Sequence, residues 1–489
     1  MPTSGFRAEF LRVIAFFAFA LCVFALSPLA EAQGPQSVAP LAKRLSGAVV
    51  NISTSQKLKG PSGVPLPKVP DGSPFQDQFK DFFNRKGRKA PNSRKVASLG
   101  SGFVIDGKNG LIVTNNHVID GADEITVNFA DGSKLRVDKV VGRDPKTDLA
   151  LLKVTPKKPL TSVKFGSSDR LEVGDWVLAI GNPFGLGGSV SIGIISAKQR
   201  DIQSGPYDDY LQTDAAINKG NSGGPLFNME GDVIGINTAI ISPTGGSIGI
   251  GFAVPADIAL PIIEQLEKFG ETRRGWLGVN IQSITQDIAA SLGIKDRRGA
   301  LISAVRPKSP AQAGGLKPGD VIVSFDGKAV ANVRALPRIV ARTAHGKTVT
   351  VNVVRKGKPL ELSITVGRLD EGGKKKKASK PAAKQPDKTV GSEFFGMTLA
   401  PLDEAARKKF DLGAKIRGLV VRKVDKSSPA SGKDIKPGDV IVEADQQAVF
   451  KLEGFQAALD RVTKRKRKSI LLRVEDGKGN LRFVALPIS

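Results

Sequence analysis

Ser222 sits in Gly220-Asn221-Ser222-Gly223-Gly224-Pro225, a serine flanked by glycines. Glycine lets the backbone bend sharply and leaves the side chain between such residues exposed. The same freedom lets backbone amides along Gly220-Asn221-Ser222, those of Gly220 and Ser222 first, aim at one point. Such an oxyanion hole contributes about 3–4 kcal/mol per donor to a carbonyl under attack. A serine hydroxyl is a weak nucleophile at neutral pH and needs a base within hydrogen-bond reach. The chain has two histidines. His345, in Thr343-Ala344-His345-Gly346-Lys347, lies beside a predicted turn and reads as exposed. His117, in Thr114-Asn115-Asn116-His117-Val118, directly follows an apolar run and is the better base. A base needs a carboxylate to fix its tautomer, and Asp148 heads the apolar run Leu149-Ala150-Leu151-Leu152. Alone, the histidine reads as structural and the aspartate as a strand boundary. Together, His117, Asp148 and Ser222 read as a triad for nucleophilic acyl transfer.

The elements around these residues are short and β-branched. Gly102-Phe103-Val104-Ile105, Leu111-Ile112-Val113-Thr114, Val177-Leu178-Ala179-Ile180 and Val233-Ile234-Gly235-Ile236 are apolar runs broken by Gly, Asn and Asp. Many short strands with turn signals predict an all-β barrel or sandwich. The order His, Asp, Ser is that of chymotrypsin-type barrels, as opposed to subtilisins or α/β-hydrolases. The expected fold is therefore mainly β, a chymotrypsin-like double β-barrel. A helix and a strand are expected over residues 35–55, and a closing helix over 255–268.

The 489 residues exceed one core and suggest about three domains. Arg7 and Arg12 precede an apolar run from Val13 to Leu26, followed by Ala30-Glu31-Ala32. This is the pattern of a cleaved export signal, too short for a membrane span. Cys22 is the only cysteine, which excludes a cysteine protease and a cysteine-ligated metal site in the mature chain. The motifs require no cofactor and no metal. The net charge of +26 favours acidic partners. No zinc-finger spacing or aromatic RNA-binding signature accompanies it, which argues against nucleic acid. The run Lys464 to Lys468 reads first as a solvated face, with peripheral membrane contact as the alternative.

Ser309-Pro310-Ala311 leading to Leu316-Lys317-Pro318-Gly319-Asp320-Val321-Ile322 recurs 119 residues later, from Ser428 to Ile441. A period this long means two copies of one domain. Between the copies, Glu371 to Thr389 is rich in Lys, Ala, Pro and Gly and reads as a linker. Upstream, Lys57 to Lys95 has loop composition but carries Phe75, Phe79, Phe82 and Phe83 on one helical face. That stripe packs either on its own domain or on a neighbouring subunit.

Taken with Gly100-Ser101-Gly102-Phe103 and Gly181-Asn182-Pro183-Phe184-Gly185, these motifs resemble the HtrA/Deg family of bacterial envelope proteases, in its branch with two PDZ domains. The resemblance implies a signal peptide (1–32), a trypsin-like protease domain (33–270, with a long regulatory loop at 57–97), a first PDZ domain (271–369), a basic linker (370–390) and a second PDZ domain (391–489). It implies an ATP-independent periplasmic endopeptidase for misfolded or unfolded proteins, with trimers or multiples of trimers and added chaperone activity. Thr238, Ala239, Ile240, Ile241, Ser242 and Ile250 would bind substrate. Their apolar character points to cleavage after Val, Ile or Ala. Leu277, Gly278, Val279, Asn280 and Ile281 would take C-terminal peptides in the first PDZ domain. In the second, the matching stretch reads as Gly396-Met397-Thr398-Leu399, with Thr398 replacing the glycine, which favours a role in assembly. A holdase, a peptide-binding scaffold and a basic adaptor for anionic lipid or nucleic acid are the competing readings.

Overall fold

The computed structural model describes Pro35 and residues 37–57, 95–181, 188–218, 220–242, 246–294, 296–370 and 391–488. The expected export signal, the phenylalanine stripe, the motif at 182–185 and the basic linker lie outside these residues.

Helix α1 (Ala39–Ser46) leads into strand β1 (Val49–Lys57), as the sequence pattern anticipates. The first lobe continues through β2 (Lys95–Asp106), β3 (Leu111–Thr114), the single-turn helix α2 (Asn116–Ile119), β4 (Glu124–Asn128), β5 (Lys134–Arg136), β6 (Lys139–Asp144) and β7 (Leu149–Lys153). These strands form an antiparallel sheet in the order β5-β4-β1-β2-β3-β7-β6. Strands β3 and β7 are buried on both faces, which is why their sequences are continuous apolar runs without alternation. Their register pairs Thr114 with Ala150. Because the pair is antiparallel, the residues after Thr114 and those before Ala150 meet at the same end of the sheet. That single pairing brings His117 to Asp148.

The second lobe comprises β8 (Trp176–Gly181), β9 (Ser189–Arg200), β10 (Tyr210–Thr213), β11 (Pro225–Phe227), β12 (Val233–Ile240) and β13 (Gly251–Pro255). It closes into a barrel in the order β10-β13-β12-β11-β8-β9. Helix α3 (Ala256–Phe269) follows and packs on β6, β7 and β12, so it straps the lobes together. It ends at Gly270, whose φ of 71° returns its amide to the Leu266 carbonyl. Phe103, Val113 and Leu151 of the first lobe share one core with Leu178, Ile180, Phe227 and Val254 of the barrel and Leu266 of α3. The lobes are thereby fixed relative to each other.

The first PDZ domain runs through β14 (Gly275–Trp276), β15 (Val279–Gln282), α4 (Gln286–Leu292), β16 (Ala300–Val305), α5 (Pro310–Ala313), β17 (Val321–Phe325), β18 (Lys328–Ala329), α6 (Ala335–Arg342), β19 (Thr348–Arg355), β20 (Lys358–Thr365) and β21 (Gly367–Arg368). The second comprises β22 (Ser392–Phe394), β23 (Met397–Pro401), α7 (Glu404–Phe410), β24 (Leu419–Val424), α8 (Pro429–Gly432), β25 (Val440–Ala444), β26 (Gln447–Ala448), α9 (Leu452–Lys464), β27 (Ser469–Glu475) and β28 (Leu481–Pro487).

The repeated sequence has a local cause. Ser309 and Ser428 cap α5 and α8 by accepting the amides of Gln312 and Ser431, and a proline takes the first helical position. Gly319 and Gly438 make the following turn at φ of 89° and 96°. The Asp320 and Asp439 carboxylates close it by accepting the amides of Lys317 and Lys436.

The structure corrects one alignment. Gly278 has φ of 79°, and a Cβ there would lie 2.4 Å from Ser309 Cβ. Gly396 has φ of 72°, and a Cβ there would lie 2.2 Å from Ser428 Cβ. Their carbonyls accept the amides of Arg306 and Asp425, again repeat partners. Gly396, not Thr398, is the counterpart of Gly278, so the second PDZ domain keeps its loop glycine. Between this glycine and the capping serine the second copy is one residue longer, so Gly396 lies one residue before the position that the 119-residue spacing gives and two before Thr398.

Candidate active site

Asp148 occupies the turn before β7 at φ of 57°, a left-handed conformation that is uncommon outside glycine and occurs for Asp in turns. The turn is held from several sides. The Asp148 carbonyl accepts the Asn116 amide (3.1 Å) and Asn115 Nδ2 (2.8 Å). Its carboxylate takes the His117 amide on Oδ1 (2.8 Å) and sits 2.5 Å from His117 Nδ1 on Oδ2. The carboxylate therefore fixes the ring and assigns the Nδ1 proton, leaving Nε2 as the basic nitrogen. Burial disfavours the charged imidazole, but the charge of Asp148 and its hydrogen bond outweigh this and raise the His117 pKa above its ordinary value. The side chain keeps 33% of its surface exposed, enough to meet a substrate.

Ser222 follows a different logic. Ser101 on β2 donates its amide to the Ser222 carbonyl (2.8 Å) and its hydroxyl to the Gly220 carbonyl (2.6 Å). Both flanking carbonyls are thus tied to the first lobe. Among the described residues, the amides of Gly220 and Ser222 have no acceptor, whereas the Asn221 amide between them donates to Asn218 O (3.0 Å). Gly223 sits at φ of 86°, where a Cβ would lie 2.3 Å from Ser101 O and 2.4 Å from Thr114 Oγ1. Only glycine fits that approach.

The Ser222 hydroxyl lies 3.4 Å from the Thr238 carbonyl. Thr238 is there because β12 bulges: Asn237 pairs with Ala253 and Ala239 with Phe252, leaving Thr238 as the extra residue. Its hydroxyl accepts Asn115 Nδ2 (3.2 Å), so Asn115 bridges the Asp148 turn and the bulge. Of the other residues expected to bind substrate, Ala239 is buried, Ile240, Ser242 and Ile250 are half-buried, and Ile241 is 49% exposed. The Ile241 amide donates to Ile250 O (3.3 Å), and Ile248, 52% exposed, stands on the same connection. An apolar, accessible ridge thus extends from the bulge beside the serine.

Three contributors escape sequence reasoning: Asn115, Ser101 as a brace, and a buried ion pair behind the site. Asp144, four residues before Asp148, accepts the Thr147 hydroxyl (2.5 Å) and pairs with Arg274 at the entrance to β14. Both are buried, and the Arg274 guanidinium also stacks 4.9 Å from the Tyr207 ring. Asp209, in the same loop as Tyr207, pairs with Arg338 and Arg342 of α6 (both 3.2 Å). Asp144-Pro145 carries a turn signal in the sequence, but nothing there points 130 residues onward to Arg274.

A base held by a carboxylate, a braced serine and two attached PDZ domains define a class: a trypsin-like serine protease with C-terminal PDZ modules. The family model for a trypsin-like peptidase domain matches residues 100–236, and that for the PDZ domain matches residues 275–366 and 394–478. The chain is 40% identical over 476 residues to the probable periplasmic serine endoprotease DegP-like of Brucella suis biovar 1 (strain 1330), covering 92% of this chain and 89% of that one. It is 42% identical over 453 residues to the protein of the same description from Ectopseudomonas mendocina (strain ymp), covering 92% and 93%. A solved structure of the HtrA-type protease AlgW with a decapeptide is 40% identical, with a TM-score of 0.56 over 68% of this chain and 99% of that chain. The chain belongs to the HtrA family of DegP-like serine endoproteases.

Proposed function

We propose that this endoprotease cleaves unfolded or misfolded proteins in the periplasm after small aliphatic residues, without ATP, using Ser222, His117 and Asp148. The observation that carries this reading is the His117–Asp148 pair, locked at 2.5 Å, on the same end of the lobes as the braced serine. His117 Nε2 takes the Ser222 proton as Oγ adds to the scissile carbonyl. The oxyanion so formed would meet the amides of Gly220 and Ser222, which have no acceptor among the described residues. The imidazolium, stabilised by Asp148, returns the proton to the leaving amine. Water then repeats the sequence on the acyl-enzyme, with His117 again as base.

The ridge formed by Ile241, Ile248 and Ile250 offers aliphatic surface, which supports selection of Val, Ile or Ala before the cut. In the first PDZ domain, β15 with Leu277 and Gly278 would take C-terminal peptides by strand addition. The AlgW structure holds a decapeptide, in keeping with this mode. Export would remove residues up to about Ala32. Assembly into trimers or their multiples, with the 57–97 loop reaching a neighbour, and holding of uncut clients complete the proposal.

The test is digestion of an unfolded protein by the mature chain beside Ser222→Ala, without ATP. Fragments ending in Val, Ile or Ala, made only by the serine-containing chain, support the reading. Equal binding without cleavage by both proteins would overturn it in favour of a holdase.

A further inference from the structure

A PDZ domain reads a C-terminal peptide by adding it to a sheet edge, with the carboxylate captured by backbone amides of the loop before that edge strand. The two domains differ at this edge. In the first, among the described residues, β15 ends its sheet and pairs only with β16. The residues before its loop, β14, turn away and pair with β21. In the second, β23 pairs with β24 on one side and β22 on the other. Ser392 lies opposite Leu399, Glu393 opposite Thr398, and Phe394 opposite Met397.

The hairpin that makes this possible is tight. Phe395 and Gly396 both have positive φ, 54° and 72°, the two-residue turn that matches the twist of paired strands. Gly391 lies so close over the edge that a Cβ would fall 2.6 Å from Thr398 Cγ2 and 2.8 Å from Leu399 O. The half-buried Phe394 ring packs 4.8 Å from the ring of Phe455 on α9, against the domain core.

Polarity is the decisive point. Strand β23 begins at the Gly396 loop, so a strand antiparallel to it must end there. A peptide with its carboxylate in that loop runs the same way. β22 therefore has the direction of a bound C-terminal peptide, with Phe394 nearest the loop.

We propose that Gly391–Phe394 is an internal peptide mimic that fills the reading edge of the second PDZ domain. The domain would accept an external C-terminal peptide with a large apolar last residue only when this segment is withdrawn. The two PDZ domains would then be one open reader and one closed reader.

The experiment uses the full chain with Ser222→Ala and a decapeptide ending in Phe with a free carboxylate, and measures stoichiometry calorimetrically. Adding Phe394→Asp places a charge in the apolar slot and should expel the strand. Binding should rise by one equivalent per chain, an amidated decapeptide should show no such rise, and the peptide Gly-Ser-Glu-Phe should compete for the added site. Where Phe394→Asp unfolds the domain, Ser392→Pro removes the amide that faces Leu399 in the ladder, from an exposed position, and must give the same increment. An unchanged stoichiometry with the domain folded overturns the proposal, as does a second equivalent in the Ser222→Ala chain itself. The increment is independent of the first domain: if that domain takes no peptide, the baseline is zero and the gain remains one.

Discussion

On the first-lobe side of the active site, His117 and Asp148 are held by side-chain and amide hydrogen bonds converging on one carboxylate and one carbonyl. On the barrel side, Ser222 is placed by backbone: Ser101 grips the carbonyls on either side of Asn221, and Gly223 threads a gap too narrow for a Cβ. The proposed base is tuned by charge, the proposed nucleophile by shape. Isosteric changes of charge should therefore damage the first side without touching the fold, while added bulk should damage both fold and activity on the second.

The largest effect should come from Ser222→Ala, which removes the nucleophile and should cost about a million-fold in kcat with no change in the melting temperature. Asp148→Asn keeps the shape and loses the charge. It should cost about 10⁴-fold in kcat, again with an unchanged melt, through loss of the fixed tautomer and of imidazolium stabilisation. A large fall in Tm for this variant would mean that the carboxylate is a structural member as well, and the contrast would fail. Gly223→Ala should behave in the opposite way, losing activity together with about 1–3 kcal/mol or more of stability, read by thermal unfolding, from the positive φ and the clash with Ser101. Asn115→Ala removes the bridge between the Asp148 turn and the Thr238 bulge. A loss of about 1–2 kcal/mol in transition-state stabilisation, seen in kcat/KM, is expected.

The smallest effect is in pH dependence. His117 must be neutral to act as base, and its pKa is raised, so kcat/KM should fall as pH drops through a value above the ordinary histidine range near 6.5. In Asp148→Asn the inflection should move down, because the charge of Asp148 is gone while burial remains, opposed only by the weaker pull of Asp120. An inflection that does not move would assign it to another group.

Much of this was legible in the amino acids. A chain with two histidines leaves few choices of base, and strands buried on both faces announce themselves as continuous apolar runs, so β3 and β7 could be read directly. The glycines around Ser222 signalled an unusual backbone. What could not be read depends on contacts that no local pattern encodes. Asn115 looks like its neighbour Asn116 until the bulge at Thr238 appears opposite it. Gly396 was passed over for Thr398, two residues on, because residue order alone does not show which position has positive φ and lies close to Ser428. The occupied edge of the second PDZ domain was hidden for a similar reason: Phe394 and Phe395 are both apolar and both pack against the core, and only the positive φ of Phe395 marks it as the turn.

The Asp144–Arg274 pair bears on where the protease can be cut from the rest of the chain. A boundary drawn at residue 270, at the end of α3, looks natural. A fragment ending there would bury Asp144 without its cation, and an ion pair broken in this way costs about 3–5 kcal/mol. The loss would fall four residues from Asp148. A fragment extended past Arg274 keeps the pair, so the shortest self-sufficient protease includes the first residues that the sequence assigns to its neighbour.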